Sequence, residues 1–214
     1  MPRQIHGVIR SLVAVTLLAT AAGAQIVRRA PAPRRQPNWA GASVGITQGF
    51  TVLDGSTGST WDFGSGLAFA GRFEHPTGSG AFAVGAQASY ARLPLAYSSS
   101  TFSSDAKADV MELMGVLRYG GGFGFHPVYE LCGGLIRFSN FQSTGATSVS
   151  ISTSSDYDPK FSLGYGFGFG LSPTTSIEVV QELGTILHQR TGLSASQSNY
   201  PRIYVTRIGG KVAF

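Results

Sequence analysis

The chain has 214 residues, enough for one domain, with 29 glycines, 43% hydrophobic residues and only 13% charged ones. Its single cysteine, Cys132, excludes an internal disulfide and any Cys-rich metal site. The formal charge of +5 is confined to the N-terminus: without Arg3, Arg10, Arg28, Arg29, Arg34 and Arg35 the remainder carries 10 basic against 11 acidic residues, so the body of the chain gives no sign of nucleic-acid binding.

The first 24 residues read as an export signal. Arg3 and Arg10 flank a short basic region, Ser11 to Ala22 is apolar but too short to span a membrane, and Ala22-Gly23-Ala24 offers a small-residue cleavage site before Gln25. Residues 25–38 form a basic, proline-rich tail: three prolines remove backbone donors and four arginines repel one another, so the segment is expected to stay flexible. It could contact anionic headgroups or serve as a solvated linker.

From Trp39 to Phe214 eight stretches alternate at period two, separated in turn by long and short connections. The first sets Ala42, Val44, Ile46, Phe50 and Val52 on one face. The second does so with Trp61, Phe63, Leu67, Phe69 and Phe73, and a turn at His75–Gly80 leads to Phe82, Val84, Ala86, Ala88 and Tyr90. After a polar loop over Ser98–Asp109, the fourth opposes Met111, Leu113, Leu117 and Tyr119 to Glu112, Met114, Val116 and Arg118. Three glycines then turn the chain into the fifth, where Tyr129, Leu131, Gly133 and Leu135 oppose Glu130, Cys132 and Gly134. A Ser/Thr-rich loop over Ser139–Ser155 precedes the sixth. There aromatic and leucine residues from Tyr157 to Leu171 alternate with Lys160, Ser162 and a row of glycines at 164, 166, 168 and 170. Ile177, Val179, Leu183 and Leu187 face away from Glu178 and Glu182 in the seventh. After the loop Gln189–Asn199, the eighth sets Tyr204, Thr206, Ile208, Gly210, Val212 and Phe214 against Arg207 and Lys211.

Mid-strand charges fall on the small, glycine-rich face. An Arg or Lys facing lipid at mid-depth costs roughly 2–4 kcal/mol, so the larger apolar face must point outward and the charges inward. The pattern predicts an all-β, eight-stranded, antiparallel, up-and-down transmembrane β-barrel behind a signal peptide, not a soluble barrel with an apolar lumen. Aromatics are expected in two belts: Phe73, Phe82, Tyr119, Tyr129, Phe169 and Phe214 near the short turns, and Trp61, Phe63, Tyr90, Phe138, Tyr157 and Tyr200 near the long loops. The eighth strand is expected to close the ring against the first.

Together, the export signal, the eight alternating strands and the terminal Phe214 resemble the small bacterial outer-membrane β-barrels of the OmpA/OmpX-like superfamily. The likeness covers residues 39–214, with Tyr204, Ile208, Val212 and Phe214 similar to the assembly signal of that family; Val212 is aliphatic where an aromatic is common. The resemblance implies insertion in the outer membrane with both ends periplasmic. It implies partners in outer-membrane lipid, lipopolysaccharide, periplasmic chaperones and the barrel-assembly machinery. The peptidoglycan-binding module of longer relatives is not expected. Family members serve as envelope anchors, adhesins, narrow pores or, rarely, lipid A enzymes.

Depth counted from the short turns pairs Glu178 with Lys211 and Arg118 with Glu130, and lets Glu112, Glu182 and Arg207 meet near mid-depth. This lumenal set is expected either to plug the barrel or to gate a narrow channel, with Arg207 exchanging partners. Candidate chemistry is sparse. His188 with Asp158 and a serine at 194, 196 or 198 is the one conceivable hydrolytic set, and no cofactor or metal site is expected. Arg92, Arg137 and Arg202 at the loop end are candidate contacts for lipopolysaccharide phosphates. The function expected is a non-enzymatic structural, envelope-integrity or adhesive role. A narrow pore and a lipid-modifying enzyme are the alternatives.

Overall fold

A computed structural model describes residues 36–55, 57–78, 81–144, 151, 157–188 and 200–214. The export signal and the basic tail as far as residue 35 lie outside the described residues, as do Asp156, Arg190 and Ser194, Ser196 and Ser198. Ten strands are present: β1 (Trp39–Thr47), β2 (Phe50–Asp54), β3 (Ser59–Phe63), β4 (Gly66–Thr77), β5 (Phe82–Ser98), β6 (Ser103–Tyr119), β7 (Gly124–Ser143), β8 (Tyr157–Ser172), β9 (Thr175–Ile186) and β10 (Arg202–Ala213). All pairings are antiparallel. β1, β4, β5, β6, β7, β8, β9 and β10 close an eight-membered ring, with Ala42 opposite Gly210 at the β1–β10 seam. β2 and β3 continue β1 and β4 past short breaks and pair with each other; β3 also pairs with β5.

The strands at the loop end run further than the alternation suggests. β5 and β6 have 17 residues each and β7 has 20, well beyond the roughly 9–11 that cross a bilayer. The polar stretches at Ser98–Asp109 and Ser139–Ser143, expected as loop, are largely strand. Their outward residues there, Ser103, Asp105 and Lys107 among them, are exposed and polar, the surface of a sheet with water on its outside.

Two breaks change which residues point inward. Between Thr47 and Phe50, and between Phe63 and Gly66, the ladder is interrupted, and the sequence parity of the lumenal face switches across each gap. Phe63 opposes Leu95 while Ala68 opposes Ala91, so one extra residue sits on the β3–β4 side, as in a β-bulge. A third irregularity lies at Asn140, whose φ of 52° is left-handed, and β7 slips by one residue against β6 there. The physical consequence is a correction. Phe50, Val52, Trp61, Phe63 and Phe138 do not face lipid; all are buried inside the barrel. For the first four, the one-residue shift at a break moves every side chain beyond it to the other face, which simple alternation cannot register. Phe138 precedes the irregularity at Asn140 and shares the inward parity of Glu130, Cys132 and Ile136, so its place in an outer belt conflicts with the alternation of its own strand.

The wall therefore reverses polarity along its height. In the half nearer the short turns, Phe69, Leu113, Leu131, Leu163, Phe167 and Ile208 are exposed on the outside and charges are inside. In the half nearer the long loops, Thr51, Asp62, Asp105 and Lys107 are outside. Inside that half, Phe50, Val52, Trp61, Phe63, Leu93, Leu95, Tyr97, Ile136, Phe138, Ile186 and Ile203 form one apolar cluster. The first half has the surface of a membrane barrel and the second the core of a water-soluble one.

Candidate functional site: the lumen and the outer wall

The turn-end lumen holds a closed set of ion pairs. Five cations, Arg72, Arg118, Lys160, Arg207 and Lys211, face five carboxylates, Glu74, Glu112, Glu130, Glu178 and Glu182. Glu130 on β7 is the hub. It accepts hydrogen bonds from Arg72, whose Nη2 lies 2.9 Å from Oε2, from Arg118 Nη1 at 3.2 Å and from Arg207. Gly164, beside it on β8, leaves the space: a Cβ there would lie 3.1 Å from Glu130 Cβ and Oε2. Arg118 also pairs with Glu178 at 2.5 Å, and Lys211 Nζ bridges Glu178 at 2.9 Å and Glu74 at 3.2 Å. Lys211 further lies 5.1 Å over the Trp39 ring.

A second group sits deeper. Lys160 on β8 is fully buried and donates to Glu112 at 2.6 Å and to Glu182 at 3.0 Å. Its stem runs past Gly184, where a Cβ would come within 3.0 Å of Lys160 Cε. Arg207 Nε is 3.9 Å from Glu182, so Arg207 links the two groups. Arg207 thus meets Glu182 directly, while Glu112 joins them only through Lys160. Depth counted from the turns leaves Arg72, Glu74 and Lys160 out of the network. Arg72 and Glu74 show an inward i, i+2 pair and Lys160 sits in line with the glycine row, which was the available signal. Strand tilt makes residues equally far from their turns lie at different heights, which is why counting missed them.

Gln87 accepts from Arg72 Nε at 3.1 Å and Ser89 donates to Glu112 at 2.9 Å, so polar side chains fill the gaps between ions. Two cavities lie in this half. One is bordered by Arg72, Glu74, Glu178 and Lys211, the other by Gln87, Ser89, Glu112 and Glu182, and each is about 30 Å³, room for about one water.

Above the ions the lumen is apolar. Phe63 stacks on Phe50 at 4.7 Å and on Phe138 at 5.3 Å, and Trp61 meets Phe138 edge-on at 5.8 Å and Phe141 at 5.0 Å. Trp61 Nε1 finds a partner in Ser59 Oγ at 3.0 Å. His188 and Asp158 are in contact, Nδ1 to Oδ2 at 2.6 Å, and both are buried. Trp61 lies 5.2 Å from the His188 ring and covers it. His188 Nε2 has no hydrogen-bond partner among the described residues. The pair is enclosed by aromatic rings, and the serines at 194, 196 and 198 lie outside the described residues. Cys132 is buried with Met114 and Val116. Among the described residues no cluster of His, Cys, Asp and Glu could hold a metal ion.

The three arginines of the outer wall differ. Arg92 is matched by Asp109 at 2.5 Å and by Gln142 at 2.7 Å. Tyr90 and Asn140 complete the same carboxylate at 3.0 and 2.8 Å. Arg137 lies 5.3 Å over the Tyr157 ring. Arg202 is exposed and forms no ion pair among the described residues. On the closing strand, Ile208, Val212 and Phe214 point outward with Tyr204, and the Phe214 ring lies 6.3 Å from Phe73. Asn38 N–H donates to Phe214 O at 3.1 Å and Phe214 N–H to Asn38 O at 2.9 Å, which ties the two ends of the barrel chain together.

A closed ring with an apolar belt outside and paired charges inside is a transmembrane β-barrel, of the small eight-stranded class found in outer membranes. Solved structures of that class are similar to it. Neisserial surface protein A, from Neisseria, superposes with a TM-score of 0.54 at 12% identity, over 83% of this chain and 97% of that one. Outer membrane protein OprG from Pseudomonas aeruginosa does so with a TM-score of 0.52 at 15% identity, over 85% and 97%. No protein-family model and no curated protein matches the sequence. The likeness is one of fold.

Proposed function

We propose that the chain is a non-enzymatic protein of the bacterial outer membrane, exported through residues 1–24, with a structural, envelope-integrity or surface-adhesive role and a lumen that does not conduct. The observation that carries this reading is the two-part filling of the barrel. Ten charged groups pair off in one half, and an aromatic cluster with Trp61, Phe63 and Phe138 closes the other. Eight strands leave an interior just wide enough for side chains, and here they occupy it. The enclosure of His188 and Asp158 beneath Trp61 speaks against a hydrolytic site, because no substrate bond can reach them without unpacking the cluster. Long strands that project beyond the membrane give the loops a rigid base, which suits contact with surface ligands. Tyr204, Ile208, Val212 and Phe214 would be read by the assembly machinery during insertion. The test is solute flux into proteoliposomes carrying the purified barrel. Swelling in a small neutral sugar at the rate of protein-free vesicles is expected; faster swelling would favour the pore.

A further inference from the structure

The lipid-facing wall is not uniform. Across β7, β8, β9 and β10 it holds a groove of about 440 Å³, within the size range of ligand pockets. Leu131, Leu163 and Leu183 line it with Phe161 and Tyr204, and Arg202 stands in its lining at the last outward position of β10 before the long loop. Arg202 and Tyr204 are two positions apart on the same face, so the backbone of Arg202 lies about 7 Å further along the strand toward the loop end than that of Tyr204. That places a cation at headgroup level above an apolar slot, the depth at which an outward arginine costs least. The other two rim arginines are engaged, Arg92 by Asp109 and Arg137 by Tyr157, whereas Arg202 has no ion-pair partner among the described residues.

We propose that this groove is a binding site for one molecule of lipid A, the anchor of lipopolysaccharide, with an acyl chain along Leu131, Leu163 and Leu183 and a phosphate on Arg202. The choice of lipid A over a phospholipid rests on the outer-membrane reading, since the loop end then faces the leaflet built of lipopolysaccharide. An apolar chain is matched by the leucines and aromatic rings, and the phosphate by the Arg202 guanidinium. Thr185, the register partner of Arg202, also lines the groove and offers a hydroxyl beside the phosphate position.

The experiment uses the full barrel in nanodiscs containing either lipid A or phosphatidylglycerol in a phosphatidylethanolamine background, with retained lipid counted by native mass spectrometry after detergent exchange. The wild type should keep lipid A in preference to phosphatidylglycerol. Arg202→Gln should lower retention about fivefold, the effect of one interfacial cation. Leu183→Trp fills the slot without touching the charge and should lower it as well, while Lys107→Gln, exposed elsewhere on the outside, should not. Equal retention of both lipids by the wild type, or unchanged retention in Arg202→Gln and Leu183→Trp, overturns the site. Surface labelling of loop cysteines in cells tests the location separately: labelled loops with no lipid preference remove the groove and leave the outer-membrane reading standing.

Discussion

Replacing Glu130 by Gln is the sharpest perturbation of the lumen. The substitution keeps shape and removes one negative charge from among Arg72, Arg118 and Arg207. Each contact between unit charges near 4 Å is worth about 4 kcal/mol at an effective dielectric near 20, so three are weakened at once. The loss is partly recovered because each arginine keeps another acid: Glu74 at 3.1 Å for Arg72, Glu178 at 2.5 Å for Arg118 and Glu182 at 3.9 Å for Arg207. Breaking a buried pair by removing one partner costs about 3–5 kcal/mol, and Glu130→Gln should fall in that range. The assay is urea unfolding in lipid vesicles, followed by heat-dependent gel mobility and tryptophan fluorescence. The double variant Glu130→Gln/Arg72→Met restores neutrality and should be more stable than Glu130→Gln alone, with a coupling of about 2 kcal/mol. A loss below about 1 kcal/mol, the worth of an exposed pair, would refute the claim that Glu130 organises the plug.

Gly164→Ala should destabilise by about 1–3 kcal/mol, because the new methyl meets Glu130 at 3.1 Å and Val180 at 3.3 Å. Gly71→Ala, with nothing within 4 Å, should stay within about 0.5 kcal/mol of the wild type in the same melts. Trp61→Ala should cost about 3–5 kcal/mol and expose the loop-end cluster to a fluorescent apolar probe; a silent change would mean that cluster carries no packing. Phe214→Ala should lower the fraction of barrel assembled in cells while the purified chain refolds in detergent as before, and equal loss in both assays would make Phe214 a stability residue only.

The membrane half of the fold is legible in the sequence because its alternation is unbroken. In β8 the run from Tyr157 to Gly170 stays in register, and Glu178 with Lys211 pairs at 2.9 Å as depth counting suggests. The loop-end half is not legible, for two physical reasons. Breaks at Gln48–Gly49 and Gly64–Ser65 shift parity by one, so Phe50, Val52, Trp61 and Phe63 look outward on paper and point inward in space. Polar residues at Ser103–Asp109 also mimic a loop, although their alternation with Ala106, Ala108 and Val110 is that of a strand with water on one side. The charge network was half visible: the inward faces name its members, but the tilt of the strands decides that Glu112 reaches Lys160 and not Arg207.

The central claim is that the lumen is sealed by paired charges below and aromatic packing above. Single-channel recording in planar bilayers tests it most directly, with the wild type and Arg207→Ala measured side by side. The account predicts no unitary current from the wild type, and from Arg207→Ala a lower melting temperature without a new conductance. Discrete current steps through the wild type that change in Arg207→Ala would contradict it and make Arg207 a gate.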